Sequence, residues 1–268
     1  MTEHRERWLA RLKRPLARLQ NNRAGDWYRI QNKADAPAEI FIYDEIGYFG
    51  DTAKDLAIEL GAIDRDELTV HVNSPGGDIF DGLAIYQALK DHRAQVTVRV
   101  DGLAASIASV IAMAGDKVIM APKASMMIHD GWTVGVGNAS DLRKTADLLD
   151  KQSDIIASVY ADRSGLATDF WRARMLEETW YTADEAVEAG LADEVEGKAK
   201  QADDSFDLGV FAHAGRDNAP APVIKPPAAP EAPVVNEPPA PPVVDKHEPA
   251  PFTWDFAAFK SALQEGVK

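Results

Sequence analysis

The 268-residue sequence contains no cysteine. Disulfides, thiol nucleophiles and thiolate metal sites are therefore excluded, and the composition suits a reducing cytoplasm. The sequence also has no uninterrupted apolar run of the roughly 18 residues that a membrane span needs. Its first residues carry charge without the apolar stretch of a secretory signal. We therefore expect a cytoplasmic protein with no membrane partner.

Basic residues are in short supply, with 29 Lys and Arg against 43 Asp and Glu, and a formal net charge of −14. So acidic a surface repels phosphates, which argues against nucleic acid as a partner. The exception is the start of the chain, where residues 1–23 hold seven Lys or Arg and two Glu. Apolar residues recur there at helical spacing. Residues 1–26 are predicted to form a basic amphipathic arm that docks on a partner or packs on its own domain.

Proline is scarce until late in the chain, since twelve of the sixteen prolines lie within residues 217–251. A Pro/Ala/Val-rich stretch cannot pair into regular structure and is expected to be extended and disordered. The pattern predicts a folded domain over 27–200 and an acidic, then Pro/Ala-rich flexible linker over 201–251. Residues 252–268 are predicted to form a short aromatic peptide or helix, interpreted as a tethered binding peptide or as an ordered part of the domain.

Strand-like and helix-like patterns alternate through the predicted domain. Residues 68–74 and 95–100 resemble strands, and residues 78–90 between them resemble a helix packed on a sheet. Residues 104–114 are almost wholly apolar and predict a buried helix after a turn at Asp101-Gly102, and residues 140–164 predict a longer helix. Repeated β-α-β order predicts an α/β fold with a largely parallel sheet.

Three segments of this domain could carry chemistry. Ser106 lies near the start of the predicted helix, where backbone N–H groups lack intrahelical acceptors, although a small residue is common at such a position. The glycines of Asn73–Gly77 could expose N–H groups to an oxyanion, although Pro-Gly-Gly alone indicates a turn. His129 ends the predicted strand 125–129, and the ends of parallel strands are where α/β proteins build sites.

Four motifs occur in one order and together resemble the ClpP family of serine peptidases. The match covers roughly residues 40–195 and is carried by Asn73–Gly77 (NSPGG), Gly102–Ser106 (GLAAS), Met127–His129 (MIH) and Thr182–Asp193 (TADEAVEAGLAD). The resemblance implies a ClpP/crotonase-like fold of repeated β-α-β units with a long protruding helix. It also implies a homo-oligomeric ring that acts on protein or peptide substrates without a metal or organic cofactor.

The resemblance assigns roles to individual residues. It implies that Ser106 is the nucleophile, that His129 is its general base, and that the N–H groups of Gly77 and Ile107 form the oxyanion hole. The third triad member is predicted to be Glu178, since the family places an acidic residue shortly before the last helix. Glu177 and Asp130 are the rival candidates for that role.

The ends of the chain bear on the biological role. A basic arm and a Pro-rich tail resemble the ClpP-related head-maturation proteases of phages and prophages, which cleave scaffold and coat proteins inside procapsids without an ATPase. This implies that the tail contacts capsid or scaffold protein, and that an AAA+ ATPase is the less expected partner. Three alternatives remain: the proteolytic subunit of an ATP-dependent Clp-type protease, an inactive scaffold relative, and an acyl-CoA enzyme of crotonase type. Cleavage specificity, ring size and self-cleavage of the tail stay open.

Overall fold

The computed structural model describes residues 27–33, 36–47, 52–196 and 206–225. The predicted N-terminal arm and aromatic C-terminal peptide lie outside these residues. The strands are β1 Tyr28–Gln31, β2 Ala38–Ile42, β3 Glu67–Ser74, β4 Gln95–Ala105, β5 Lys117–Met120, β6 Ser125–Ile128, β7 Thr179–Thr182 and β8 Glu194–Val195. The helices are α1 Ala53–Gly61, α2 Ile79–Lys90, α3 Ile107–Ala112, α4 Ala139–Ser164, α5 Thr168–Leu176 and α6 Ala183–Glu188.

The strands form one sheet in the order β1-β2-β3-β4-β5-β8, and β6 pairs with β4 and with β7 off this path. The pairs β2–β3, β3–β4, β4–β5, β4–β6 and β5–β8 are parallel, whereas β1–β2 and β6–β7 are antiparallel. Parallel neighbours require crossover connections, which α1, α2 and α3 supply. The predicted α/β fold of repeated β-α-β units is therefore confirmed.

The main core lies between the sheet and its helices. Strand β2 alternates buried and half-buried residues, as a strand with one face on the core does. Apolar side chains from successive elements meet there with almost no exposure, among them Ile40, Val70, Val98, Ile111 and Trp171. Burial of each such side chain contributes roughly 1.5–3 kcal/mol. This core fixes the positions of the ends of β3, β4 and β6 relative to one another.

Strand β4 is longer than the sequence predicted, and the predicted helix over 104–114 is wrong at its start. Leu103, Ala104 and Ala105 pair in register with residues 125–127 of β6. The predicted turn at Asp101-Gly102 is therefore part of the strand, and the helix covers only Ile107–Ala112. Pairing with a second parallel neighbour outweighs the helical preference of this apolar run, and Ser106 becomes the junction between strand and helix.

Helix α4 is long, and its bounds agree closely with the predicted helix over 140–164. Asn138 accepts hydrogen bonds from the first turn in a capping box, and Gly165 ends the helix with a left-handed backbone. At 26 residues the helix is about 39 Å long. Its exposed large apolar side chains are Leu142, Leu148 and Ile155. None of the helices in the described part of the chain has both the length and the hydropathy of a membrane span.

Part of the expected linker packs on the domain instead. Residues 206–218, here called the strap, contain two single 3₁₀ turns, Leu208–Val210 and Arg216–Asn218. Val210 and Phe211 are buried in a small second core with Leu103, Ala105, Met127 and Trp180. The structure departs from the flexible-linker prediction here because the strap precedes the prolines and carries four apolar residues that cover this face of the sheet.

Candidate active site

Ser106 stands at the turn from β4 into α3 with a backbone φ of 56°. Glu178 is the other non-glycine residue with a positive φ in the described part of the chain. Such a conformation costs about 1–3 kcal/mol, persists only where surrounding structure enforces it, and concentrates at functional sites. The backbone is held by the Ser106 amide, which donates to the Met127 carbonyl at 2.9 Å. The Ser106 side chain makes no capping hydrogen bond to α3.

The hydroxyl of Ser106 meets the imidazole of His129. The Ser106 Oγ and His129 Nε2 atoms are 2.7 Å apart although the residues are 23 positions apart along the chain. This contact follows from topology, because Ser106 follows β4, His129 follows β6, and the two strands are parallel neighbours in register. A neutral imidazole protonated on Nδ1 accepts the hydroxyl proton through this contact.

The other two histidines of the domain have different partners. His71 Nδ1 lies 2.7 Å from a carboxylate oxygen of Asp101, and His92 Nδ1 accepts the Ala94 amide at 3.1 Å. Burial raises the pKa of Asp101, but hydrogen bonds from His71 and Tyr43 outweigh it and leave that pKa below its usual value. Both histidines are therefore accounted for by local structure, and of the three domain histidines only His129 pairs with a serine.

The glycine pair after β3 lies directly beside Ser106. Asn73 accepts the Leu103 amide at 3.0 Å, and Ser74 accepts the Gly76 amide at 3.1 Å, so the loop is tied both to β4 and to itself. A Cβ atom on Gly76 would stand 2.6 Å from the Ser106 Cβ and 3.2 Å from the Ile107 amide nitrogen. The loop approaches the nucleophile too closely for any side chain at this position.

Two backbone amides beside Ser106 are the predicted oxyanion donors. The Ile46 amide donates to the Gly76 carbonyl at 2.8 Å, and the Asp78 amide donates to the Ile46 carbonyl at 2.9 Å. The Gly77 amide, which lies between these two positions in the chain, is not a donor in this bridge. The Ile107 amide is in the first turn of α3, where no intrahelical acceptor exists. The fold thus brings together Ser106, His129 and the loop and helix start that carry these amides.

Glu178 is buried, and its carboxylate is engaged by the strap. It accepts the amides of Ala212 and His213, each at 2.7 Å, and the Trp180 indole N–H at 3.2 Å. Those three donors are its hydrogen-bond partners within the described chain, and the His129 imidazole is not among them. The role of Glu178 as the third triad member therefore stays a prediction.

The two rival carboxylates pair with arginines. Asp130 forms an ion pair with Arg172, which also contacts Asp154 at 2.9 Å. Burial raises the pKa of Asp130, while the neighbouring Arg172 acts in the opposite direction. Glu177 contacts Arg174 at 3.2 Å, and 63% of its side chain is exposed. Both carboxylates are therefore engaged in ion pairs, and these contacts favour neither of them as the third triad member.

A cavity of about 60 Å³ opens beside the pair and is lined by Ser106, His129, the glycine pair and mostly apolar side chains. Tyr160 is among the lining residues, and its hydroxyl lies 2.7 Å from the Ser109 hydroxyl in a buried contact. Two lining residues, Val210 and Phe211, were missed by the sequence analysis, which assigned them to the linker. The apolar cluster Phe206, Leu208, Val210 and Phe211 was the available signal.

The arrangement is suited to acyl transfer: a hydroxyl nucleophile, an imidazole within proton-transfer distance, and backbone donors beside both. It defines a serine hydrolase site on an α/β sheet. The model of the Clp protease family matches residues 21–199 of this chain, which is more than half of it. The chain therefore belongs to the Clp protease family and is a serine-type peptidase.

Curated relatives agree with this assignment. An ATP-dependent Clp protease proteolytic subunit from Bacteroides fragilis is 34% identical over 160 residues, which cover 58% of this chain and 77% of that relative. A subunit of the same name from Deinococcus radiodurans is 32% identical over 133 residues, covering 49% of this chain and 65% of the relative. One from Streptococcus pneumoniae is 34% identical over 133 residues, covering 48% and 68%. The predicted resemblance to ClpP-like peptidases is confirmed.

Proposed function

We propose that this protein is a serine endopeptidase in which Ser106 attacks the peptide carbonyl and His129 acts as general base. The observation that carries the proposal is the 2.7 Å contact between Ser106 Oγ and His129 Nε2, beside the glycine loop. The imidazole accepts the hydroxyl proton as the oxygen bonds to the carbonyl carbon. It then donates that proton to the leaving amine, and an acyl-enzyme remains.

The amides of Gly77 and Ile107 stabilise the negative charge that develops on the carbonyl oxygen. Backbone donors fixed by a tight loop and a helix start need no reorganisation when that charge forms, and each contributes about 3–4 kcal/mol to lowering the barrier. Water, deprotonated by His129, then attacks the acyl-enzyme, and Ser106 leaves with the proton that the imidazole returns. The protein's own residues supply every proton transfer in this scheme.

Labelling with a fluorophosphonate tests the proposal directly. We expect one covalent adduct per chain, located at Ser106 by mass spectrometry of the digest, because only an activated serine reacts readily. Ser106→Ala should remove the adduct, whereas Ser140→Ala, an exposed serine on α4, should keep it. Equal labelling of the Ser106→Ala variant would rule out this nucleophile.

The finer role proposed is cleavage of scaffold and coat proteins in a phage procapsid, by a homo-oligomeric ring that works without an ATPase. The basic arm and Pro-rich tail support this role, because they lie largely or wholly outside the matched family region. The exposed apolar side chains of α4 support an interface between copies, since burial against a second copy would remove them from water. The curated relatives are named as ATP-dependent subunits, which makes that role the second candidate.

Deletion of residues 227–268 separates these roles. We expect the truncated chain to keep its oligomeric mass by light scattering and its cleavage of small peptides, because the site and α4 lie before the deletion. Its incorporation into capsid shells, measured by co-sedimentation with coat and scaffold protein, should fall by about tenfold or more through loss of a tether. Undiminished incorporation would contradict the tether. Degradation that requires an added AAA+ ATPase would favour the second candidate.

A further inference from the structure

The strap, residues 206–218, follows the matched family region and touches the catalytic residues. The family match ends at residue 199, so the strap lies outside the matched region. The Phe211 ring lies edge-on to the His129 imidazole with centroids 5.8 Å apart, and at the same distance from the Trp180 ring. Both contacts are made by a residue outside the part of the chain that defines the family.

The strap is fastened at two places by charged groups. The Glu178 carboxylate accepts the Ala212 and His213 amides at 2.7 Å. Arg216 donates two hydrogen bonds to the Glu185 carboxylate at 2.7 Å and 2.6 Å. Charge-assisted bonds of this kind are about twice as strong as neutral ones, and the paired geometry of Arg216 fixes direction as well. The two anchors fix the part of the strap that follows Val210 and Phe211 against the domain.

Directly before the first anchor the strap forms one side of the active-site cavity. Val210 and Phe211 line it together with Ser106 and His129, and both strap residues are less than 10% exposed. Ser106 and His129 nevertheless remain partly exposed while the strap is docked. The strap therefore lies beside the reacting groups and leaves them accessible to a substrate.

We propose that the strap is a specificity-determining wall of the active site, in which Val210 and Phe211 limit the size of the substrate side chain that lies beside the scissile bond. This proposal rests on the proposed peptidase function. The remaining lining is largely apolar, with Ile79, Val110 and Ile156 in it. The substrate class that fits is a peptide with a small apolar side chain at that position.

Apolar pockets discriminate between substrates by the size of the side chain that they admit. A filled apolar wall discriminates by about 10- to 200-fold against a side chain that is larger by one methylene group. Phe211 is such a wall, since its ring lines the cavity and packs against both the His129 and Trp180 rings. Its truncation removes bulk from the cavity without touching the nucleophile or the oxyanion donors.

The test compares two peptides that differ only in the apolar residue before the scissile bond, one with Ala and one with Phe, on the full chain. We expect Phe211→Ala to raise the ratio of kcat/KM for the Phe peptide over the Ala peptide by about tenfold relative to wild type. Arg216→Ala, which releases an anchor outside the cavity, should move the ratio in the same direction. Asp217→Asn, an exposed neighbour on the strap, should leave it unchanged.

Fluorophosphonate labelling of Ser106 in each variant keeps the two proposals distinguishable. An unlabelled, inactive wild type would overturn the proposed function itself. Normal labelling with an unchanged peptide ratio in both Phe211→Ala and Arg216→Ala would overturn the strap proposal alone. So would an equal rise in kcat/KM for both peptides, because that result identifies an inhibitory plug. Val210→Ala carries the test by itself if Phe211→Ala does not fold, because Val210 lines the same cavity.

Discussion

Substitution of Ser106 by alanine is expected to lower kcat/KM for peptide cleavage by at least about 10⁴-fold while the fold persists. The loss is large because nucleophile and base act as one unit, and the remaining groups retain only their binding and electrostatic contributions. The fold should persist because the Ser106 side chain contacts His129 and caps no helix amide. The measurement is steady-state cleavage of a fluorogenic peptide, with circular dichroism to verify the fold.

Ser140→Ala is the matched control, since it removes the same hydroxyl from an exposed position on α4. It should retain wild-type kcat/KM within a factor of two or so, as surface substitutions remote from structural features do. Cleavage by Ser106→Ala at the wild-type rate would end the assignment of the nucleophile. A collapse of its circular dichroism signal would instead assign Ser106 a structural role.

Substitution of Gly77 by alanine is expected to lower kcat/KM by about 10²–10³-fold, through displacement of an oxyanion donor. An added Cβ would lie 2.0 Å from the Ile46 carbonyl oxygen and 2.6 Å from the Ile46 amide nitrogen. Both are backbone atoms of a bridge that holds the loop, so the strain must be relieved by moving the loop itself. The Gly77 amide would then no longer face the carbonyl oxygen.

The chain offers a matched glycine for comparison. Gly61 ends α1, and apart from its chain neighbours and the backbone of α1 no heavy atom lies within 4 Å of the Cβ it would acquire. Gly61→Ala should keep full activity and stabilise the fold by roughly 0.5–1 kcal/mol, because alanine has less backbone freedom to lose on folding. Both variants are compared by kcat/KM, labelling rate and thermal midpoint. If a folded Gly77→Ala variant is labelled at the wild-type rate, the assignment of Gly77 as an oxyanion donor is wrong.

The strap packs on the domain, although its residues belong to the region predicted to be a linker. A composition rich in alanine, valine and proline suggested one continuous linker, but proline becomes frequent only after the strap ends. The Arg216–Glu185 pair lowers the pKa of Glu185 to about 2, chiefly through the hydrogen bonds from Arg216. A folded-state pKa below the unfolded value contributes stability above about pH 4.5, and this contribution is lost as the pH falls towards 2. The strap should therefore stay docked at neutral pH.

Local sequence could predict those parts of the site whose residues are constrained by nearby backbone. Gly76 and Gly77 are glycines because the loop approaches Ser106 and Ile46 more closely than a Cβ permits. The apolar alternation of the strands follows from having one face on the core. The start of α3 was misplaced because residues 103–105 are equally compatible with a buried helix and a buried strand, and periodicity cannot separate the two.

The amino-acid sequence by itself determined the family, the α/β fold and the pairing of Ser106 with His129, since four motifs in order can satisfy their local backbone requirements in few ways. Only the tertiary structure decided where β4 ends, and which donors the Glu178 carboxylate meets. It also placed Phe211 against the imidazole. These features depend on contacts between residues distant along the chain, such as 178 with 212, and such contacts are set by the packing of the whole sheet rather than by any local pattern.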